Sequence, residues 1–392
     1  MSRLILNAGR EKSLLKRHPW VFASAIGRVE GRPEPGGTVT VTAHDGRFLG
    51  RAAFSPSSTI RARMWSFDEG QVVDEALMAA RIEAAVANRA TLAERTDAIR
   101  LIFGESDQLP GLIVDRYGTQ LVVQFLSVGV EAWRDAIVRS LVEVTGCESV
   151  YERSDAAACE REGLPVRDGV LAGVAPGPDL QIVEDGVRYR VDIAGGHKTG
   201  FYIDQRDNRR LVARAAQGRR VLNCFCYTGG FTLAARQGGA AAALSIDSSE
   251  PALALARDNE RLNALPPSDW QAANVFDALK ALLAEGRQFD LIVLDPPKFA
   301  PSPQHLDRAA RAYKEINLKA LRLLAPGGLL FTFSCSGAVS VDLFQKIVAG
   351  AVIDAGVQAQ MLRRLQAGID HPMLMTHPEG EYLKGLLLRR VL

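Results

Sequence analysis

The chain changes its hydrophobic rhythm twice along its length. Near the start, apolar residues alternate with polar ones: Val39-Thr-Val-Thr42, then the turn signal His44-Asp-Gly-Arg47, then Ile60-Arg-Ala-Arg-Met-Trp65. A period of two predicts short half-buried strands over residues 1–70. In the last of them Arg61 and Arg63 fall on one face, and Ile60, Ala62 and Met64 on the other. The middle, 71–185, opens with a helical stretch over 74–95. Apolar runs at 112–115 and 121–126 follow, then a helix over 130–144 and runs at 149–152 and 180–183. That order predicts a small α+β domain of strand, strand, helix, strand, strand. From 186 to 392 the period alternates between two and 3.6. Strands are predicted at 220–226, 243–247, 270–274, 291–295, 329–335 and 386–391, and helices near 229–238, 250–264, 277–286, 307–325 and 340–355. Strands and helices in strict alternation predict an α/β, doubly wound, mostly parallel sheet with helices on both faces.

Composition narrows the class. The 392 residues are 47% hydrophobic, enough to bury several cores and to exclude a disordered or collagen-like chain. No apolar run approaches the roughly 18 residues of a membrane helix, and the first residues are too short an apolar stretch for a signal peptide. Five cysteines are too few and odd in number for a disulfide scaffold, so a cytoplasmic setting is expected. The near-neutral net charge of +2 hides an asymmetry: +7 over 1–66, −12 over 67–185 and +7 over 186–392. A basic head and tail point to nucleic acid. They make Arg61 and Arg63 candidates for phosphate contact, with a solvated sheet face as the competing reading.

In a doubly wound sheet, ligands sit outside the carboxyl ends of the strands. The first strand runs out through Asn223-Cys-Phe-Cys-Tyr-Thr-Gly-Gly-Phe231 into a helix, a turn that lets a ligand approach the backbone. It is not the dinucleotide pattern, because Tyr227 stands where a small residue is wanted. Cys224 and Cys226 have no second pair nearby, so they read as core or pocket lining and no metal is expected. Asp247 ends the second strand, 18 residues past Gly229, where an acid can accept from both hydroxyls of a ribose. Asn274 ends the third and can meet an adenine edge. The fourth ends Asp295-Pro-Pro-Lys298, a rigid lip without backbone donors from its prolines. The fifth ends Phe333-Ser-Cys335-Ser-Gly337. If the last two strands are neighbours, Asp295 and Cys335 face one site.

This set of strand ends resembles the class I S-adenosylmethionine-dependent RNA methyltransferases. Four further motifs extend the likeness from end to end: Gly9-Arg-Glu-Lys-Ser-Leu-Leu-Lys-Arg-His-Pro-Trp-Val-Phe22, Gly104-Glu-Ser-Asp-Gln-Leu-Pro-Gly111, Gly196-His-Lys-Thr-Gly-Phe-Tyr-Ile-Asp-Gln-Arg-Asp207 and His371-Pro. In this order and spacing they resemble the ribosomal RNA large subunit methyltransferase I family, which makes 5-methylcytosine in 23S rRNA. The resemblance implies an N-terminal PUA domain (1–70), a middle domain (71–185) and a C-terminal Rossmann-like methyltransferase domain (186–392). It implies S-adenosylmethionine as cofactor, held by Phe225, Tyr227, Gly229, Asp247 and Asn274, with Phe201, Tyr202, Gln205 and Arg206 closing over its methionine end.

The chemistry that follows is covalent. C5 of a pyrimidine is a poor nucleophile until a thiolate adds at C6. The resemblance gives Cys335 that role, Asp295 the task of holding the cytosine edge and Lys298 a place at the substrate. Many RNA cytosine-C5 methyltransferases have a second Cys where this chain has Lys298, which leaves the base that removes the C5 proton open; Glu379 and Glu381 are the candidates. The expected partner is a loop or single-stranded region of 23S rRNA, since a base leaves its stack more cheaply there. A homodimer is left open. The competing functions are a uracil-C5 methyltransferase and a non-catalytic RNA-binding protein of the same fold.

Overall fold

Period-two patterning builds sheets whose two faces need different cover, and the chain resolves that need in two compact units. The computed structural model describes residues 2–196, 199–300 and 302–391. One unit comprises Met1–Ile182, Val191–Ile203 and Asp370–Gly380; the other comprises Val183–Arg190, Asp204–Ile369 and Glu381–Leu392.

The first unit contains two sheets. Strands β1 (Arg3–Leu6), β2 (Trp20–Phe22), β3 (Ile26–Glu30), β4 (Thr38–Thr42), β5 (Phe48–Phe54) and β6 (Ile60–Ser66) form a six-stranded sheet of order β2-β6-β5-β4-β1-β3. The alternation legible in the sequence is its inner face: Val39, Val41, Ala52, Ala62 and Met64 are buried together with Leu4 and Leu6. The second sheet, order β11-β10-β9-β8-β7, is made of β7 (Ala98–Phe103), β8 (Leu112–Tyr117), β9 (Gln120–Phe125), β10 (Ser149–Arg153) and β11 (Asp168–Ala172). Helices α1 (Glu75–Ala87) and α2 (Arg134–Thr145) add Met78, Ile82, Ile137 and Leu141 to its core. β7 and β11 are additions to the predicted strand-strand-helix-strand-strand order, and the last predicted strand, 180–183, is not part of this sheet: it pairs with Val187–Arg190 in a separate two-stranded hairpin.

Segments 191–203 and 370–380 belong to this unit because buried polar groups bind them there. Thr199 donates to Asp115 at 2.6 Å and lies 2.8 Å from the Tyr117 hydroxyl. The Asp370 carboxylate accepts from the Arg100 backbone at 3.0 Å.

In the second unit, a hairpin of β12 (Gln181–Glu184, entered from the first unit) and β13 (Val187–Arg190) precedes α3 (Arg206–Ala215). The main sheet has strands β14 (Arg220–Cys224), β15 (Ala242–Asp247), β16 (Asp269–Ala272), β17 (Phe289–Leu294), β18 (Leu324–Ser334), β19 (Ala359–Gln366) and β20 (Lys384–Arg390), in order β16-β15-β14-β17-β18-β20-β19. β14 pairs in parallel with both β15 and β17, β17 pairs in parallel with β18, and only β20 runs against its neighbours. Strand order therefore reverses between β14 and β17, the place where a doubly wound sheet opens a crevice.

Alternate residues face opposite layers. Leu222, Ile292, Leu294 and Leu330 pack with α5 (Val275–Ala284), α6 (Leu306–Leu323) and α7 (Val341–Ala355). Val221, Leu291, Val293 and Phe331 pack with α3 and with α4 (Gly230–Gln237). In the same unit the helix Glu250–Leu262 crosses from β15 to β16. The turn expected at Pro326-Gly-Gly328 lies inside β18: Gly327 takes φ +76° and the pairing register with β17 shifts between Phe289 and Leu291, so the turn residues form a bulge.

Candidate active site

Four strand ends converge at the reversal point. The backbone after β14 is the most constrained of them. Phe225, Tyr227 and Gly229 all have positive φ, at 61°, 48° and 83°. Two non-glycine residues held left-handed within three positions is strain of the kind that collects at ligand sites. Glycine is required at 229, because a Cβ there would meet the Trp270 ring at 2.7 Å and Ala256 at 3.1 Å.

Asp247 closes this loop. One of its carboxylate oxygens accepts from the Tyr227 N–H at 2.8 Å and the other from the Ser249 N–H at 2.9 Å. A carboxylate offers about four lone-pair sites, so both oxygens keep capacity for hydroxyl donors. Ser249 caps the helix Glu250–Leu262, accepting from Ala252 N–H at 3.3 Å. Asn274 is the exposed N-cap of α5 and its Oδ1 accepts from Phe276 N–H at 2.9 Å, which leaves its amide nitrogen outward. The half-buried Phe225 ring meets Phe299 edge-on at 6.2 Å, and Phe299 meets Tyr313 at 4.8 Å. An aromatic wall thus runs from the β14 loop towards the end of β18.

Asp295 follows β17 and Cys335 follows β18, and the two strands are parallel neighbours. The Cys335 sulfur lies 3.9 Å from the Pro296 carbonyl oxygen, which brings it to the Asp295-Pro-Pro-Lys298 segment. Of the five cysteines, four are buried and Cys335 is half-exposed. Burial pushes the Cys224 and Cys226 thiols well above their ordinary value, so neither is a ready thiolate. Among the described residues no group of three His, Cys, Asp or Glu side chains is placed to hold a metal.

The residues predicted to close over a cofactor separate. Gln205 is buried, and its amide nitrogen donates to Asp295 Oδ1 at 3.0 Å. Its carbonyl oxygen accepts from Asn208 at 2.6 Å, and Asn208 is itself tied to the Gln366 carbonyl at 3.0 Å. Arg206 is fully buried with its Nε 3.7 Å from Glu184, a carboxylate that Arg209 also grips with two bonds of 2.6 and 2.8 Å. Asp204, just before Gln205, accepts from the Tyr382 hydroxyl at 2.7 Å. Phe201 and Tyr202 belong to the first unit, where the backbone N–H of Phe201 donates to the Tyr117 hydroxyl at 3.3 Å.

Arg61 and Arg63 share β6, but their guanidinium groups are used differently. Arg61 donates to the Pro56 carbonyl at the surface. Arg63 is 12% exposed and ion-paired with Glu162 at 2.8 Å and Glu105 at 3.7 Å, so its side chain is not the solvated one that alternation suggests. The partners come from elsewhere in the unit and leave no local mark in the sequence.

The structure also adds residues. Tyr313, on the buried face of α6, bonds Ser334 at 2.9 Å and Ser336 at 3.0 Å, the two serines flanking Cys335. Ser336 accepts from the Ala300 N–H at 3.1 Å, which ties the β17 and β18 loops together. Lys384, 4% exposed, lies opposite Ser334 in β20 and donates to the carbonyls of Ser336 and Val339, each at 2.8 Å. The one sequence signal for it was a lysine at the head of an apolar strand. Glu379 belongs to the first unit, 3.2 Å from His18. Burial raises its pKa, but its own backbone N–H and the two histidines, His18 and His377, outweigh that and hold it below the usual value. Glu381 is exposed, belongs to the second unit and acts electrostatically on Lys384.

A reversal-point crevice with a strained glycine loop, an acid ending the next strand and a seventh antiparallel strand define a class I S-adenosylmethionine-dependent methyltransferase, here joined to a PUA-like domain. Family models agree: residues 169–375 match an S-adenosylmethionine-dependent methyltransferase and residues 4–67 a PUA-like domain. The chain is 49% identical to ribosomal RNA large subunit methyltransferase I of Erwinia tasmaniensis over 391 residues, covering 99% of each chain. It is also 49% identical to that of Shewanella denitrificans over 393 residues, again covering 99% of each. The chain belongs to the ribosomal RNA large subunit methyltransferase I family. Its fold is shared by a crystal structure named SMU.776, a methyltransferase complexed with SAH, at TM-score 0.87 and 23% identity over 99% of this chain and 100% of that one. Among the described residues no helix is long and apolar enough to cross a membrane.

Proposed function

We propose that the protein transfers a methyl group from S-adenosylmethionine to C5 of one cytosine in 23S rRNA through a covalent bond between Cys335 and C6 of the base. The observation that carries this reading is the pairing of a half-exposed thiol with the Asp295-Pro-Pro-Lys298 lip, 3.9 Å from sulfur to the Pro296 carbonyl. The family's name supports ribosomal RNA of the large subunit as substrate.

The residues fit the cofactor. Asp247 retains acceptor capacity for ribose hydroxyls, the Phe225–Gly229 loop brings backbone close, and the amide nitrogen of Asn274 suits a base edge. When bound, the cofactor supplies an electrophilic methyl group. The Cys335 thiolate adds to C6 and makes C5 electron-rich. Asp295, oriented by Gln205, holds the N3 and amine edge of the base and steadies the charge that develops there. Once C5 carries the methyl, its proton passes to a base, the electron pair re-forms the C5–C6 double bond and the Cys335–C6 bond breaks. Of the two candidate bases, Glu381 belongs to the same unit as Cys335 and acts electrostatically on Lys384, which supports it in that role.

Lys298 is exposed beside Asp295 and suits a phosphate or base oxygen of the target strand. A loop or single-stranded target fits a mechanism in which the base leaves its stack, at a cost of about a few kcal/mol from a duplex. The basic first segment, Arg61 included, suits the RNA backbone.

The test is a covalent trap. Substrate RNA bearing 5-fluorocytidine has no C5 proton to lose, so the adduct persists after methyl transfer. A denaturant-stable protein–RNA complex is expected with the natural chain and none with Cys335→Ala. An equally abundant complex with Cys335→Ala overturns the assignment.

A further inference from the structure

The mechanism above needs a thiolate, and a free thiol is only a few per cent ionised at pH 7. The titratable groups around this turn come from several elements: Cys335 acts electrostatically on Lys384 of β20 and on Tyr313 of α6, and Lys384 is acted on in turn by Glu381 from the segment before it and by Lys298 from the lip after β17, the lip whose Pro296 carbonyl lies 3.9 Å from the Cys335 sulfur. Lys384 differs from the other cation. Lys298 is exposed, so water screens its charge, whereas Lys384 is 4% exposed and its charge acts through protein. Both of its visible bonds, 2.8 Å each, go to carbonyls of the turn after Cys335, and carbonyls cannot neutralise an ammonium. A buried cation without a bonded carboxylate is costly to keep. A thiolate formed beside it relieves that cost.

We propose that Lys384 is the positioning residue of Cys335, pinning the 335–339 turn and supplying the charge against which the thiolate forms. The inference rests on Cys335 being the nucleophile. Burial holds the Lys384 pKa below the ordinary lysine value, partly offset by the charges of Cys335 and Glu381. The same attraction, seen from the sulfur, favours its ionised form.

The experiment measures alkylation of Cys335 by iodoacetamide between pH 6 and pH 10 in the full chain, read by mass spectrometry of the peptide. The natural chain, Lys384→Gln and Lys384→Arg are compared. Gln keeps a donor for the turn carbonyls without the charge, so it preserves the fold; Arg keeps the charge. The Gln variant should ionise about one pH unit higher and react about tenfold more slowly at pH 7. The Arg variant should recover most of the natural profile. An unchanged midpoint in Lys384→Gln, with thermal unfolding as in the natural chain, overturns the inference. Full methyl transfer by Cys335→Ala overturns the underlying reading instead, whatever the alkylation profile shows.

Discussion

Gln205 separates two accounts of the site. The family resemblance places it at the methionine end of the cofactor. In the structure its amide is fixed by Asn208 so that its nitrogen donates to Asp295 at 3.0 Å. Replacement by Leu removes that donor and fills a comparable volume. A hydrogen bond to an ionised group contributes about 1.5–3 kcal/mol. If it is spent on orienting Asp295, its loss slows the chemical step by about ten- to a hundredfold, since each 1.4 kcal/mol is tenfold. Cofactor affinity should change by less than about twofold. The assays are single-turnover methyl transfer to substrate RNA and calorimetric titration with S-adenosylhomocysteine. A normal single-turnover rate together with tenfold weaker cofactor binding would refute the orienting role and return Gln205 to the cofactor.

Other perturbations test other links. Asp247→Ala removes the acceptor for two loop N–H groups and for the ribose; it should weaken S-adenosylhomocysteine binding by about tenfold or more by calorimetry. Arg63→Ala strips Glu162, 3% exposed, of its cation and should cost about 3 kcal/mol in denaturant unfolding, while Arg61→Ala should leave stability within about 0.5 kcal/mol and weaken RNA binding in a filter assay. His377 is buried against the Trp20 ring at 4.5 Å, and burial lowers its pKa below the ordinary 6.5 despite the opposing charges of Glu105 and Glu379. Below pH 6.5 the unfolded chain therefore binds a proton that the folded chain resists, and stability falls with acidification. Unfolding midpoints measured from pH 7.5 to pH 5 should fall, and His377→Phe should flatten the slope.

The legible parts of the fold were those with a strong period. The central parallel strands β14, β15, β17 and β18 carry apolar runs buried on both faces, and helices such as α6 and α7 between or beside them bury an apolar stripe, so their sequence order and ends could be read directly. β19 could not: its residues Gln360 to Arg364 are all exposed, and an edge strand open on both faces has no reason to alternate. β11 is a half-exposed edge strand of the same kind, whereas β7, Ala98-Ile-Arg-Leu-Ile-Phe103, is an apolar run interrupted by Arg100.

The site divides in the same way. Asp247, Asp295 and Cys335 were found because a strand-end rule points at them. Asn208 and Tyr313 bond partners far away in sequence, as with Tyr313 and Ser334 or Asn208 and Gln366, and nothing local marks them; Lys384 is marked only by its place at the head of an apolar strand. Arg63 shows the opposite error. Local alternation put it beside Arg61 on an outer face, while two carboxylates from the neighbouring sheet region claimed it.

The central claim is the identity of the methylated atom. Unmodified 23S rRNA incubated with the purified chain and isotope-labelled S-adenosylmethionine, then digested and resolved by nucleoside mass spectrometry, answers it directly. The account predicts label in 5-methylcytidine at a single position, absent with Cys335→Ala. Label in 5-methyluridine or in a methylated purine would contradict it.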